Sequence, residues 1–157
     1  MLDPLIFKDS IIPNALSSIN LNEENAVNLL AGTAAVESDL GKFIIQKNNG
    51  PARGIFQMEE DTYNDIWENF LKYRKGLSSL ILKGFKNKER PDYIQITNNM
   101  ILSIHMARVH YLRNREPIPE KNDIEGLALY WKRNYNTIKG KGKVEDFIYK
   151  YNKYFKT

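Results

Sequence analysis

Apolar residues recur at the spacing of an α-helix along most of this chain, and short polar breaks separate the stretches in which they do. Residues three and four positions apart share one face of a helix, so this period predicts helices with a buried face. The clearest stripe, between positions 22 and 41, consists of Ala26, Leu29, Leu30, Thr33 and Ala34. Further helices are predicted at residues 61–73, 77–85, 93–113 and 144–155, and after residue 123 in a stretch with Leu127, Tyr130 and Trp131. We expect a mainly α fold of about six to eight helices.

Several of the breaks carry residues that typically begin or end helices. Asp3 followed by Pro4 has the pattern of an N-cap and a first helical residue, and it predicts a short helix that Pro13 would end or kink. Asn22 and Asp123 are predicted N-caps, because their side chains can accept hydrogen bonds from the free N–H groups of a first helical turn.

Residues 42 to 58 fit neither a helical period nor a strict alternation. The sequence Asn-Asn-Gly-Pro at positions 48 to 51 is a strong turn signal between two short apolar runs. We therefore predict a loop or a small irregular hairpin in this segment.

The chain has 157 residues, of which 42% are hydrophobic and 27% are charged. This length and balance predict one domain over residues 1–157. No apolar run reaches the roughly eighteen residues of a membrane-spanning helix, and the amino terminus lacks the basic-then-apolar pattern of a secretory signal. We expect no stable membrane insertion and no export by a signal peptide. The oligomeric state is not predicted.

Cysteine is absent, which excludes disulfide scaffolds, thiolate metal sites and cysteine nucleophiles. The two histidines, His105 and His110, lack the i, i+4 spacing that places two imidazoles over one metal ion on a helix. We interpret both as ordinary residues of their helix, and we predict no metal and no organic cofactor.

The formal net charge of +4 favours an anionic partner, and nucleic acid, acidic cell wall and a membrane surface all qualify. Many of the cations are scattered, and the densest cluster is Lys139, Lys141 and Lys143. A short run of this kind is typical of a solvated face, so specific nucleic-acid binding is not predicted.

Glu37 lies in the predicted last turn of the helix between 22 and 41. The unpaired carbonyls of a helix end disfavour a carboxylate, and Val36, Phe43 and Phe56 would add desolvation if the following loop folds back. Both effects raise the pKa of a carboxyl group. Cleavage of a glycosidic bond requires such a group, which keeps its proton near neutral pH and delivers it to the leaving oxygen.

Two motifs around Glu37 carry a resemblance to a known family. Glu37-Ser38, followed by Gly-Ile-Phe-Gln at 54–57 and by Thr62, resembles the Glu-Ser and Gly-Leu-Met-Gln motifs of soluble lytic transglycosylases and goose-type lysozymes, in the lysozyme-like superfamily. The similarity is concentrated in residues 31 to 63, where order, spacing and the helix-loop-helix setting agree. It implies an α+β lysozyme-like fold with helices around a substrate cleft.

Carried over to this chain, the resemblance implies that Glu37 is the single catalytic acid. Ser38 would be the hydroxyl that accompanies it, and we include Ser38 among the substrate-binding residues. Gly54 would let the backbone pass close to the sugar, and Gln57 would face the cleft and orient the substrate. Phe56 would either wall the groove or belong to the core.

A third family motif, Ala-Tyr-Asn, contains a tyrosine whose hydroxyl reaches the catalytic glutamate. Two segments are similar to it here, one ending at Tyr130 and one formed by Tyr135 and Asn136. We prefer Tyr135 over Tyr130 as the contact to Glu37, and we include Tyr130, Tyr135 and Asn136 among the substrate-binding residues. The stretch from 127 to 142 also resembles lysozyme-type domains of phage proteins.

The resemblance implies cleavage of the β-1,4 bond between N-acetylmuramic acid and N-acetylglucosamine in peptidoglycan. An inverting hydrolase needs a second carboxylate about 6.5 to 9.5 Å from the acid. Asp39 would point to the other side of a continuing helix, and Glu59 and Glu60 suit a helix start without any catalytic role. This favours a one-carboxylate lytic transglycosylation, and hydrolysis stays open.

A wall-cleaving enzyme without an export signal reaches its substrate at host lysis or in a virus particle. Together with the similarity to phage domains, this predicts a phage lysis enzyme, held in the cytoplasm of the infected host until lysis, or a virion component. Two other classes stay open: a non-catalytic glycan-binding or virion structural domain, and a basic nucleic-acid-binding protein.

Overall fold

A computed structural model describes residues 2–137 and 140–156 of the chain, and these are mainly helical, as predicted. The α-helices are α1 (Pro4–Ile6), α2 (Ile12–Ser17), α3 (Glu24–Ser38), α4 (Glu60–Asn69), α5 (Lys75–Leu82), α6 (Met100–Leu112), α7 (Ile124–Trp131) and α8 (Val144–Phe155). The other helical turns are π turns at Phe7–Ile11 and Lys132–Asn136, and 3₁₀ turns at Lys47–Asn49, Leu71–Tyr73 and Tyr93–Thr97. Lys139 of the predicted basic cluster lies outside the described residues. In the part of the chain that is described, no helix has the length and apolar character needed to cross a membrane.

Two of the three predicted N-caps are present. The Oδ1 atoms of Asp3 and Asp123 each accept a backbone N–H from three residues later, at 2.9 Å. The prediction for Asn22 is wrong, because α3 begins at Glu24 and no side chain caps its start.

Pro13 does not end the first helical stretch. The π turn Phe7–Ile11 precedes it, and α2 continues to Ser17. Proline supplies no backbone N–H and its ring crowds the carbonyl four residues earlier, so a wider turn takes the place of an α turn before it.

Helix α6 runs through the interior and is buried on almost every side. At its centre, Nε2 of His105 lies 2.8 Å from the carbonyl oxygen of Ala15 and 3.1 Å from Oγ of Ser18, which fastens α6 to the end of α2. The helix predicted at 93–113 is divided because Asn99 caps α6, its side chain accepting from the N–H of Leu102 at 3.0 Å.

Helices α3, α7 and α8 pack against one another. A Cβ atom on Gly32 would lie 2.1 Å from Cζ of Phe147, so the absence of a side chain at position 32 lets α8 approach α3 closely. The ring centroids of Phe147 and Trp131 are 5.7 Å apart. This packing fixes Trp131 at the end of α7, from which it reaches the carboxyl end of α3.

Between α3 and α4 the chain is irregular, as predicted. The described residues contain no strand, and isolated antiparallel bridges join Ile45 to Arg53 and Arg53 to Met58. The backbone N–H of Phe43 donates to the carbonyl of Ser38 at 3.0 Å, so the segment folds back on the end of α3.

Candidate active site

A pocket of about 930 Å³ lies between the end of α3, the irregular segment that follows, and the chain from α7 to α8. It is lined by four of the residues selected from the sequence: Glu37, Gln57, Tyr135 and Asn136. Carboxylates, lysines and aromatic rings also line it: Asp39, Glu59, Asp146, Lys47, Lys141, Lys150, Phe43, Trp131 and Tyr149. Ser38, Gly54, Phe56 and Tyr130 do not line this pocket.

Glu37 is half-buried in the last turn of α3 and lines the pocket. Burial raises the pKa of its carboxyl from 4.5 to about 7, although hydrogen bonds from Trp131 and Asn136 and the charge of Lys132 act in the opposite direction. The indole Nε1–H of Trp131 donates to Oε1 of Glu37 at 3.0 Å. The carboxyl therefore titrates near neutral pH.

Trp131 is a site residue that the sequence analysis missed. Its side chain is buried beside Phe147, and a Cβ atom on Gly142 would lie 2.7 Å from its Cη2. Neighbours on both sides therefore hold the indole with its N–H on Glu37. The apolar stripe of α7 predicted a core residue here, and the bonded partner lies 94 positions away, beyond the reach of a local pattern.

The ammonium of Lys132 stabilises the pocket wall beside Glu37 and forms no ion pair with the Glu37 carboxylate. Its Nζ donates to Oδ1 of Asn136 at 2.7 Å, to the carbonyl of Gly140 at 2.9 Å and to that of Gly142 at 2.6 Å. These acceptors match the three protons of an ammonium group. The ammonium therefore ties the π turn to residues 140–142 and holds Asn136 near Glu37.

The hydroxyls of Tyr130 and Tyr135, the two candidates for the contact to Glu37, donate to other groups in the described part of the chain. Tyr130 is buried and donates to the carbonyl of Glu116 at 2.9 Å, so its predicted substrate contact is corrected as well. Tyr135 lines the pocket, but its hydroxyl donates to the carbonyl of Phe56 at 2.7 Å. Tyr135 thus joins the π turn to the segment after α3, and an indole takes the donor position at Glu37.

Ser38 and Gly54 are buried behind the residues that line the pocket. Ser38 is fully buried, and its Oγ donates to the carbonyl of Ile55 at 2.6 Å and accepts from the N–H of Gly41 at 2.9 Å. Gly54 has a φ of +81°, and a Cβ atom there would lie 2.4 Å from the carbonyl oxygen of Ile96. The predicted substrate contacts of Ser38 and Gly54 are therefore corrected: the hydroxyl fastens α3 to the next segment, and the glycine allows a close backbone approach.

The end of the Gly-Ile-Phe-Gln strip divides between core and pocket. Phe56 is 1% exposed and belongs to the hydrophobic core, the alternative weighed against substrate contact. Gln57 has a positive φ of 49° and lines the pocket, and its Nε2 donates to the carbonyl of Gly54 at 3.0 Å. The left-handed backbone at Gln57 thus places its side chain at the pocket, whereas the side chain of Phe56 lies in the core.

Asp39 also lines the pocket, contrary to expectation. The expectation assumed a continuing helix, but α3 ends at Ser38 and Asp39 has a left-handed φ of 54°. The ammonium of Lys150 donates to its Oδ1 at 2.6 Å, and the hydroxyl of Tyr154 at 2.5 Å. Burial raises the pKa of Asp39, but these hydrogen bonds and the charge of Lys150 outweigh it and bring the pKa below its ordinary value. Asp39 is therefore ionised at neutral pH and anchored to α8.

His110, interpreted from the sequence as an ordinary helix residue, lines the pocket from the last turn of α6. Its ring packs edge-on against Tyr135, with 5.0 Å between centroids. Burial and the charge of Arg113 lower the pKa of His110 to about 4, against an opposite effect of Asp65. The imidazole is therefore neutral at neutral pH.

Glu59 occupies the N-cap position of α4 and also lines the pocket, whereas Glu60 lies in the first turn of α4 and does not line it.

Among residues 2–137 and 140–156, no three His, Asp or Glu side chains form a group that could hold a metal ion. Comparison of the chain with models of protein families, with curated proteins and with solved structures gives no match.

Proposed function

We propose that this chain cleaves the β-1,4 bond between N-acetylmuramic acid and N-acetylglucosamine in bacterial peptidoglycan, with Glu37 as the general acid. The observation that carries the proposal is a pocket carboxyl whose pKa is about 7. A general acid must hold a proton at the working pH and release it to an oxygen in the transition state. Glu37 has this property because it is sheltered from solvent and forms no ion pair among the described residues.

The walls of the pocket suit a sugar chain. The side-chain amides of Gln57 and Asn136 carry both donors and acceptors, which match hydroxyl and acetamido groups. Tyr149 is 63% exposed and offers an aromatic face, whereas Nζ of Lys47 lies over the ring of Phe43, 4.3 Å from its centroid. A combination of amides, charges and an open aromatic ring favours a polar polymer over an apolar ligand.

In the proposed reaction, the proton of Glu37 moves to the glycosidic oxygen. The bond between that oxygen and the anomeric carbon breaks, and the leaving sugar departs as an alcohol. Positive charge is then shared by the anomeric carbon and the ring oxygen of the other sugar. The Glu37 carboxylate takes a proton from the incoming nucleophile, which is the muramoyl 6-hydroxyl in lytic transglycosylation and water in hydrolysis.

The condition of Asp39 favours lytic transglycosylation. A carboxylate with a lowered pKa that already accepts hydrogen bonds from Lys150 and Tyr154 is a weak base for activating water. Asp146 also lines the pocket, and its side chain accepts the backbone N–H of Lys143 at 3.0 Å. The intramolecular route needs no second carboxylate, so it is our first choice over hydrolysis.

The resemblance of residues 127 to 142 to phage-borne domains supports a role in phage infection. We assign the activity to host lysis from within the infected cell or to wall penetration by a virion. The partner in both cases is the glycan strand of the bacterial wall.

Purified protein should clear a suspension of peptidoglycan, and Glu37→Gln should not. Glu60→Gln is the matched control, because it removes an exposed carboxylate at the start of α4 that does not line the pocket. Clearing by Glu37→Gln would show that Glu37 is not the general acid. Clearing by none of the three proteins would favour a non-catalytic glycan-binding or virion structural domain.

Mass spectrometry of the released fragments separates the two routes. Lytic transglycosylation yields 1,6-anhydromuramoyl ends, and hydrolysis yields reducing ends. Reducing ends would overturn the preferred route and leave the assignment of Glu37 unchanged.

A further inference from the structure

We propose that His110 is a substrate-binding residue that donates a hydrogen bond from Nε2–H to an acceptor oxygen of the bound glycan. The inference rests on the proposed function, because it assigns a contact in the same pocket. His110 lines that pocket from α6, together with Thr62 of α4 and Tyr135 of the π turn.

The position of the proton on His110 follows from its neighbour Arg113. Nη2 of Arg113 lies 2.8 Å from Nδ1 of His110. A guanidinium group has donors and no acceptor, so Nδ1 must be the acceptor in this contact and carry no proton. A neutral imidazole keeps one proton, which therefore sits on Nε2.

Arg113 is itself held in place by α4. Its Nη1 pairs with Oδ2 of Asp65 at 2.5 Å, and the other carboxylate oxygen of Asp65 accepts from Nδ2 of Asn69 at 2.6 Å. The guanidinium therefore cannot turn away from His110 without leaving its ion pair. The burial and the nearby Arg113 charge that lower the pKa of His110 to about 4 keep the ring neutral across the pH range in which Glu37 titrates.

The Nε2–H group of His110 is left for an occupant of the pocket. Among the described residues it has no hydrogen-bond partner, and it is not one of the enclosed polar atoms. Packing against Tyr135, and against Tyr111 at 6.3 Å between centroids, restrains the ring. A donor without an acceptor in the protein selects an acceptor in the ligand, and the carbonyl oxygen of a sugar acetamido group is a strong acceptor that carries no proton of its own.

The same geometry excludes His110 as the base that activates a nucleophile. Nδ1 faces a cation, and Nε2 already carries the proton. His110 is therefore assigned to positioning the glycan, while Glu37 makes both proton transfers.

The tautomer can be measured without any substrate. Two-dimensional ¹⁵N NMR of the imidazoles in the intact chain should show His110 neutral and protonated on Nε2 between about pH 5.5 and 8. His110→Phe identifies the signal by its loss. A neutral ring protonated on Nδ1, or a ring that takes up a second proton near pH 6.5, would overturn the proposal.

Binding tests the contact itself. In the Glu37→Gln background, a soluble peptidoglycan tetrasaccharide should bind about three- to tenfold more weakly after His110→Phe, which keeps an aromatic ring and removes both nitrogens. His110→Gln returns an N–H donor and should recover part of the loss. Tyr73→Phe is the control, because Tyr73 is 72% exposed and does not line the pocket.

The outcomes separate this inference from the function on which it rests. Equal binding by the parent and His110→Phe would overturn the contact and leave the function standing. The donor role has a second test, which applies if the protein with Glu37 clears peptidoglycan. In the Glu37→Gln background, binding by His110→Gln that is no tighter than binding by His110→Phe would also overturn the donor role. No binding and no clearing by any form would overturn the proposed function, and the glycan contact with it.

Discussion

Glu37 and Asp39 lie two residues apart at the end of α3 and line the same pocket, yet their pKa values move in opposite directions. Burial raises the pKa of both carboxyls. Asp39 receives an ammonium group from α8 at 2.6 Å, and this contact together with the hydrogen bond from Tyr154 outweighs its burial. Glu37 accepts a hydrogen bond from the neutral indole N–H of Trp131, and this hydrogen bond does not outweigh the burial of Glu37.

The difference depends on where each lysine places its charge. Lys150 directs its ammonium at Asp39, whereas Lys132, which lies near Glu37, directs its ammonium at three oxygens of the pocket wall. The structure thus raises the pKa of one carboxyl towards neutrality and lowers the pKa of its neighbour within one turn of chain. Shelter without an ion pair is the property that distinguishes a proton donor from a structural anchor.

Removing the two carboxylates separately should produce the largest difference between them. Glu37→Gln should lower the rate of peptidoglycan cleavage about a thousandfold, because general acid catalysis supplies factors of about 10² to 10⁴. Asp39→Asn keeps a side chain that tolerates the left-handed backbone and should lower the rate by less than about tenfold. Initial rates at equal enzyme concentration provide the measurement, and equal losses for the two variants would contradict the division of roles.

The two carboxyl groups should also differ in how they affect the free energy of unfolding. A carboxyl whose pKa rises from 4.5 to about 7 on folding binds its proton more tightly in the folded state, so its ionisation destabilises the fold as the pH rises through this window. At about 1.4 kcal/mol for each pKa unit, Glu37→Gln should stabilise the chain by about 3 kcal/mol at pH 8.5 and by much less at pH 5. Denaturant unfolding at the two pH values tests this. An equal change at both would show that Glu37 titrates normally in the folded state.

Asp39 should show the opposite sign. Its pKa is lowered on folding, so its contribution is present above the ordinary pKa of an aspartate and is lost as the pH falls through the folded value. Asp39→Asn should cost about 1 to 2 kcal/mol at pH 7 and less at pH 3. Lys150→Met should cost a similar amount, and the double variant less than the sum, because both substitutions remove one contact. Full additivity would indicate that the two residues act independently.

The smallest expected effect concerns the indole. The N–H of Trp131 stabilises the ionised form of Glu37, so Trp131→Phe should raise the pKa of Glu37 further and move the alkaline limb of the pH–rate profile to higher pH. The matched change Tyr130→Phe removes a polar hydrogen from the same helix without touching the pocket. A limb that moves to lower pH in Trp131→Phe would contradict the assignment of that limb to Glu37.

Local signals in the sequence predicted local features. The carboxylates of Asp3 and Asp123 begin helices through bonds to groups three residues away, and α8 has its predicted bounds, because its apolar stripe and its polar face lie in one run of residues. The pocket was only partly predicted. Ser38 and Gly54 carried recognisable residue types, but their environment depends on Ile55 and Ile96, whose positions no local pattern specifies.

The missed residues show the same limit. Trp131 fits the apolar period of α7 and His110 fits that of α6, so each has a structural interpretation that is sufficient by itself. What makes them notable is a partner from another element: Glu37 for the indole, and the pair of Arg113 with Asp65 for the imidazole. Periodicity reports which face of a helix is buried, whereas the donor and acceptor at that face are set by tertiary packing.

The close crossing of Gly32 and Phe147 has a consequence for how the protein is made. The phenyl ring lies more than a hundred residues after Glu37 in the chain, and it braces the indole that bonds to the acid. While the ribosome is still adding these late residues, position 37 carries an ordinary hydrated glutamate that ionises below pH 5. The raised pKa of Glu37 is therefore a property of the packed fold, and the nascent polypeptide acquires it only when α8 packs against α3.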